Sequence, residues 1–276
     1  EFYLFQTPDI TLNNGKYGWG GPEVSGGWGA GNPSSIPTIN YYLKQRLSSG
    51  KITVDIYDDK GTLLQTMSGG IRKGINRVSW NLRGTPPKVA AGSTKFDGAG
   101  FTAPMVLPGN YTVKIKVKDK EYTGTVKCVH DNDNKDLSLE DRKLVYEKSM
   151  EVQTLYNNVN NTIDTITYFQ KSLKSDTIAY AKNKNAQTFF ADLQKVKAEF
   201  MAVTKTSIFA DEERLREKVS KLYGTFCGME SKPNSTHLES IQDLQKEYAT
   251  QKDAFQKVVA KNLPKNPDLK KPTEFK

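Results

Sequence analysis

Residues 122–141 read Tyr122-Thr123-Gly124-Thr125-Val126-Lys127-Cys128-Val129-His130-Asp131-Asn132-Asp133-Asn134-Lys135-Asp136-Leu137-Ser138-Leu139-Glu140-Asp141. The first part, Tyr122 to Val129, alternates in the manner of a half-buried strand. Six polar residues follow, Asp131 to Asp136. Ser138 with Asp141 three residues on then has the spacing of a capping box, which marks a helix start. The chain therefore turns from β to α near residue 136. Composition agrees. Nineteen of the 21 glycines, all three tryptophans and eight of the 12 prolines precede residue 136. A shift of this kind separates an all-β part from an all-α part.

Upstream, short strand patterns recur between turn signals. Lys51-Ile52-Thr53-Val54-Asp55-Ile56-Tyr57 alternates, and Asp58-Asp59-Lys60-Gly61 reads as a turn with Gly at a left-handed position. Leu63 to Met67 returns as the second strand of a hairpin. Ile75 to Leu82 is a further strand, with Val78 and Trp80 on one face. After a Pro/Gly-rich insertion from Pro86 to Pro104, Tyr111 to Val117 and Tyr122 to Val129 form a closing hairpin across Lys118–Glu121. Six or seven short strands at this spacing predict a β-sandwich. Before it, Phe2-Tyr3-Leu4-Phe5 and Pro37 to Leu43 are strand-like and flank a glycine-rich stretch, Asn13 to Asn32, that carries Trp19 and Trp28.

Downstream, apolar residues recur at helical spacing. Leu144, Val145, Met150, Val152, Leu155, Val159, Ile163, Ile166 and Phe169 predict one helix longer than 30 residues. A second helix is expected over about 186–206 and a third from Asp211 to Gly228. The fourth starts at Ser235 or Thr236 and closes at Pro264. Four amphipathic helices with short links predict an antiparallel bundle. The chain thus reads as α+β by segregated domains.

Charge and composition exclude several classes. Of 276 residues, 40 are Lys or Arg and 31 are Asp or Glu, a net charge of +9. Residues 1–136 hold 17 basic and 12 acidic side chains and residues 137–276 hold 23 and 19, so the excess divides as +5 and +4. Only seven basic residues are Arg. An even Lys-rich surface does not predict a nucleic-acid partner. No apolar run approaches the roughly 20 residues that span a membrane. The opening residues show no basic n-region with an apolar h-region, so no signal peptide is expected within the sequence. Cys128 and Cys227 have no metal-ligand spacing; two buried thiols are expected, with a single bridge between them as the alternative.

Candidate chemistry is sparse. His130 borders the polar hinge and His237 falls in the first turn of a predicted helix, and neither has a motif around it. No nucleophile elbow, P-loop or HExxH occurs. The glycine stretch precedes no helix and so lacks phosphate-cradling geometry. Asp55, Asp58 and Asp59 lie on a strand end and its turn, where solvated acids belong, and they do not read as a catalytic pair. No cofactor and no metal are expected. Trp19, Trp28, Tyr41 and Tyr42 are the candidate surface aromatics. They suit either packing against a neighbouring domain or stacking on sugar rings.

Four stretches taken together, Ile36 to Lys44, Lys51 to Asp58, Gly74 to Arg83 and Leu107 to Val113, are similar to a FlgD-type immunoglobulin-like module. Leu215-Arg216-Glu217-Lys218, Leu222-Tyr223-Gly224, Pro233 and the run Leu238 to Leu244 extend the similarity into the helices. Over most of residues 1–262 the chain resembles the C-terminal region of large bacterial proteins, frequent in Bacteroidota, with an N-terminal sortilin-like β-propeller. These are often described as BNR-repeat or glycosyl hydrolase-like.

The resemblance implies an immunoglobulin/fibronectin III-like sandwich over 48–131 and a four-helix antiparallel bundle over 137–263. It makes 1–47 a segment that leaves the propeller and packs on it, and 264–276 a disordered tail. No catalytic residue carries over, since any activity would lie in the propeller. The implied partner is that propeller, in the same parent protein or on another subunit. A glycan-binding role remains the alternative, as does an accessory role beside a propeller active site. The resemblance also implies export to the periplasm, outer-membrane surface or extracellular space. In such proteins Asp-Ser/Thr followed by an apolar residue can be O-glycosylated, which makes Thr165 and Thr177 candidate acceptors.

Overall fold

A computed structural model describes residues 2–12, 36–92, 97–203 and 212–269. It is 45% helical and 23% strand, a mixed chain with sheets first and a helical region after. No helix among the described residues is long and apolar enough to cross a membrane. The chain forms two compact units, but they do not divide it near residue 136. One unit holds Glu1–Thr85, Ala103–Tyr146 and Gly228–Lys232; the other holds Pro86–Thr102, Glu147–Cys227 and Pro233–Lys276.

Among its described residues the first unit has eight strands: β1 Phe2–Leu4, β2 Ile10–Leu12, β3 Thr38–Leu43, β4 Ile52–Tyr57, β5 Leu63–Gly69, β6 Gly74–Ser79, β7 Gly109–Val117 and β8 Lys120–His130. They make a three-stranded sheet, β1-β3-β6, and a five-stranded sheet, β2-β8-β7-β4-β5. The two sheets share one core. Ile39, Tyr41, Leu43 and Val78 enter it from the first; Ile52, Val54, Ile56, Val113, Ile115, Val126 and Cys128 enter from the second. Alternation puts these residues on one face of each strand, since side chains two apart point the same way. Trp80 is fully buried in the same cluster, and its indole N–H donates to the Arg83 carbonyl at 3.0 Å.

Two expectations are corrected here. Residues 1–47 are not a separate packing segment: their described parts supply β1, β2 and β3 to the sheets. Ile39 and Tyr41 are completely buried, which fixes β3 as a core strand. Asp55 is not a solvated acid. β4 lies between β5 and β7, so Asp55 is buried, and it accepts from Lys116 Nζ at 3.0 Å and Thr66 Oγ1 at 2.8 Å. Asp58 does stand in the expected turn, where its Oδ1 accepts from the N–H groups of Lys60 and Thr62.

This unit also takes the first residues of helix α1, Leu139–Leu173, and the short segment 228–232. Ser138 Oγ accepts from the Asp141 N–H and donates to its carboxylate, which sets the helix start. From the first turn, buried Arg142 reaches the Leu12 carbonyl at 3.0 Å and His130 Nδ1 at 3.3 Å. Leu12 and His130 are register partners in the parallel β2–β8 pair, so one guanidinium closes the end of both strands. Burial pulls the Arg142 pKa down, opposed by Glu230 and Asp131. Glu230, from 228–232, also accepts from Asn134 at 3.1 Å.

The second unit holds the rest of α1, with α2 Thr177–Lys182, α3 Lys184–Phe200, α4 Leu215–Cys227 and α5 Ser235–Asn262. Side-chain pairs give the helix directions. Against α5, Asp192 meets Lys261 and Phe200 meets Tyr248, while Lys218 meets Glu247 and Phe226 meets His237. Thus α3 covers the C-terminal half of α5 and α4 its N-terminal half, both antiparallel to it. Against α1, Phe169 meets Phe189, Thr167 meets Lys197 and Tyr156 meets Tyr223. The unit therefore has three columns: α1, α3 followed by α4, and α5. It is not a four-helix antiparallel bundle, because α3 and α4 run in the same direction, one after the other along α5. Glu217 helps to join the two helices: its Oε2 accepts from the N–H groups of Ala202 and Arg214, both at 3.1 Å. Burial pushes the Glu217 pKa up despite these bonds.

The first residues of the expected disordered tail are ordered. Leu263–Lys265 makes a 3-10 turn, and Asn266 is buried with its amide donating to the Asn262 carbonyl at 2.9 Å. Residues 270–276 lie outside the described residues. Both cysteines are free and buried, and burial raises the Cys128 thiol to about 12.

The insertion Pro86–Thr102, read as a loop of the β part, belongs to the helical unit. The Ala90 N–H donates to Asn160 Oδ1 at 2.9 Å, and Lys88 pairs with Asp164 at 2.7 Å. Asp97 accepts from Ser220 Oγ at 2.6 Å, from Arg216 at 3.2 Å and from the Tyr156 hydroxyl. Arg216 is 1% exposed, and its Nε and Nη1 have no hydrogen-bond partner among the described residues. Asp97→Ala would leave that charge buried and unpaired, so it should cost about 3–5 kcal/mol. Adding Arg216→Met should recover much of the loss. Urea unfolding of the full chain measures both; wild-type stability in Asp97→Ala would mean the pair does not hold the insertion.

Candidate functional site

The same alternation that fills the core leaves the other face of the three-stranded sheet to solvent. On β1, Phe2 points inward and stacks on Tyr41 and Tyr122, with ring centroids at 5.4 and 4.0 Å. Tyr3 is thereby turned outward and is 59% exposed. On β3, Asn40 and Tyr42 point out. On β6, Ile75 and Arg77 point out, and Ile75 is 61% exposed. Strand register aligns these residues. Tyr3 is opposite Tyr42, and Tyr42 is opposite Ile75, which makes one row across all three strands. In the next row the Phe5 N–H donates to the Asn40 carbonyl at 3.0 Å, and Asn40 is opposite Arg77. Tyr3 and Phe5 contact edge to face at 4.9 Å. The result is a flat aromatic and aliphatic strip with an amide and a guanidinium beside it.

One end of the strip meets a tight corner. The Tyr41 hydroxyl donates to the Gly70 carbonyl at 2.6 Å. Asn76 Oδ1 accepts from the Arg72 N–H at 3.2 Å, and its amide donates to the carbonyls of Arg72 at 2.8 Å and Gly74 at 3.2 Å. A Cβ on Gly70 would collide with the Asn76 amide oxygen, so glycine is required at this approach. The corner frames an open groove of about 800 Å³, whose lining includes Lys51, Arg72, Ile75 and Arg77 and no carboxylate. Lys51, Arg72 and Arg77 are all exposed, and none is in an ion pair among the described residues.

Of the aromatics singled out in the sequence, Tyr42 lies on this strip. Tyr41 does not: it is completely buried, and burial raises its hydroxyl to about 12. Neighbours in a strand face opposite ways, so the two tyrosines cannot share a surface. Trp19 and Trp28 lie outside the described residues. Thr165 sits inside α1, its Oγ1 donating to the Asn161 carbonyl at 2.8 Å, with Ile166 completely buried. Thr177 is the exposed first residue of α2; the side chain of Asp176 caps that helix and Ile178 is 71% exposed. His237 serves the start of α5, its Nδ1 accepting from the Asn234 N–H. No group of three or more His, Cys, Asp or Glu among the described residues is placed to hold a metal.

The sequence reading missed Tyr3, Phe5, Ile75 and the three groove cations. A signal for the cations existed. Residues 24–54 and 60–96 contain no acidic residue, while they carry three and seven basic residues. Sums over each half of the chain conceal that local excess. No protein-family model matches the chain, and no curated protein matches it.

Because Ile75 is exposed, Ile75→Ser should change stability by no more than about 0.5 kcal/mol. Tyr41→Phe removes the bond to the Gly70 carbonyl and should cost about 0.5–1.5 kcal/mol. Denaturant midpoints of the two variants check this. Equal losses would mean that the strip is packed in solution.

Proposed function

We propose that this chain is a non-catalytic structural and protein-interaction region of an exported, propeller-bearing protein of the cell surface or periplasm. Its two-sheet unit is an immunoglobulin-like module of the FlgD type, and its helical unit is an appended scaffold. The observation that carries the reading is the outward-facing row Tyr3–Tyr42–Ile75, in which Tyr3 and Ile75 are exposed and Tyr42 is half-buried. Contiguous apolar surface rimmed by polar groups marks an interaction site more often than an ordinary surface. The upstream propeller implied by the resemblance is the partner proposed for it. Both units support the role by being densely cross-linked: Arg142 ties strand ends in one, and Asp97 ties the insertion in the other.

The test compares the natural parent protein with a Tyr42→Ser/Ile75→Ser variant. In the variant, limited proteolysis is expected to separate this region from the upstream domain much faster, with no change in the midpoint of its own unfolding. Unchanged proteolysis would remove the docking role. Reproducible hydrolysis of a glycoside or peptide by the purified chain would remove the non-catalytic reading.

A second reading, a carbohydrate-binding module, is favoured by one feature. The Tyr42 ring lies in a flat strip beside Asn40 and Arg77, and aromatic faces with flanking polar groups suit pyranose rings. Glycan-array binding abolished by Tyr42→Ala would establish it over the first.

Export also bears on Thr177. Its exposure beside Asp176 and Ile178 makes it the better of the two candidate acceptors. Intact mass of the natively exported protein should show an added glycan that Thr177→Ala removes and Thr165→Ala does not. An unmodified mass in the wild type would end this proposal.

A further inference from the structure

The free edge of β6 adds something that the strip alone does not. In an antiparallel pair, residues alternate between pointing their N–H and C=O toward one neighbour and toward the other. The Asn40 carbonyl accepts from the Phe5 N–H, so Asn40 faces β1. Ile39, Tyr41 and Leu43 therefore face β6, and their partners Val78, Asn76 and Gly74 face back. That leaves the backbone N–H and C=O of Ile75 and Arg77 directed away from β3. Among the described residues β6 is the last strand of its sheet, and these groups open on the groove that Lys51, Arg72 and Arg77 line.

We infer that the β6 edge receives an extended acidic peptide segment of a protein partner, which adds a fourth strand to the β1-β3-β6 sheet. This rests on the protein-interaction reading above and names the chemistry of a partner contact. The unpaired backbone groups supply hydrogen bonds to any extended chain. The cations supply the selection. An added strand turns alternate side chains to opposite faces, so acidic residues at every second position fall beside Arg77 or over Lys51 and Arg72. Complementary charge of this kind chooses among partners more than it adds affinity. A second copy of this chain is disfavoured at the same edge, because it would bring Arg77 and Arg72 against their own equivalents. A nucleic acid is disfavoured because three cations, Arg77 on the strand and Lys51 and Arg72 beside it, neutralise few phosphates.

The probe is a fluorescein-labelled heptapeptide alternating glutamate and valine, titrated into the full chain at low salt and followed by anisotropy. Amide exchange is measured on the same complex. Binding is expected, with exchange at Ile75 and Arg77 slowed about tenfold or more. Arg72→Glu/Arg77→Glu should weaken binding by about tenfold or more and reverse the preference toward a lysine–valine peptide. Lys51→Glu is the second variant, read the same way. A glutamate–valine peptide N-methylated at every residue keeps its charge but has no N–H to pair on either edge, and it should not bind. Equal binding of the methylated peptide, unchanged exchange at Ile75 and Arg77, or no peptide binding at all would each overturn the inference. Binding of polygalacturonate in place of the peptide, lost in Tyr42→Ala, would overturn it in favour of a glycan. A loss confined to Tyr42→Ser/Ile75→Ser in the parent protein concerns the strip, so failure of the edge and failure of the strip are separately visible.

Discussion

Arg216 is the constraint on which the helical unit is organised. A guanidinium with 1% exposure must have a counter-ion, since an unpaired buried charge is far more costly than a lost hydrogen bond. The counter-ion comes from Asp97, which lies 119 positions away in the sequence. The pair therefore requires the insertion Pro86–Thr102 to lie against α1 and α4. Once it does, Ser220 and the Tyr156 hydroxyl complete the carboxylate, and the Tyr223 hydroxyl donates to the Thr102 carbonyl at 3.1 Å. Tyr156 and Tyr223 stack at 5.9 Å beneath this network. Burial and the adjacent Asp97 carboxylate both push the Tyr156 pKa up, so the hydroxyl keeps its proton and remains a donor. The arrangement holds the insertion, α1 and α4 together.

What the sequence made legible was local. The alternation in Thr38–Leu43 and Ile52–Tyr57, the Lys118–Glu121 turn and the long stripe of α1 follow from periods of two and 3.6 residues, and each is written in adjacent residues. What it did not make legible depended on partners far along the chain. Pro86 to Thr102 has a loop's composition, and only Arg216 and Asn160 reveal where it belongs. The link after α3 begins at Phe200, short of the residue 206 to which the apolar spacing extended the helix. Whether it reverses the chain is decided by Glu217, which bonds both Ala202 and Arg214 and so keeps α3 and α4 in one column. Asp55 was misread for the same reason: its strand's position between β5 and β7 is a long-range fact.

The candidate surface was half legible. Tyr42 could be singled out as an aromatic in a strand, but choosing it over Tyr41 required knowing which face of β3 was buried. Ile39, Tyr41 and Leu43 share that face, and only pairing with β6 shows that it points to the core. Tyr3 and Ile75 join Tyr42 through register alone, across three strands that are not consecutive. The cations were concealed by averaging over half the chain, although the stretches without acids on either side of Asp55, Asp58 and Asp59 mark them plainly.

An exposed strand edge needs either a partner or a deterrent, because its free N–H and C=O groups pair with any extended chain. β6 meets the second need with Arg72, Lys73 and Arg77, which repel a like-charged copy. The deterrent is also a selector: charges that reject a basic or self-identical strand favour an acidic one. Pure protection would be satisfied by a short, bulged or buried edge. β6 instead runs regularly through all six register pairs with β3, and it faces an open groove whose glycine corner is fixed by Asn76 and Tyr41. A regular edge, a rigid corner and an unbalanced set of cations together favour recognition over protection alone.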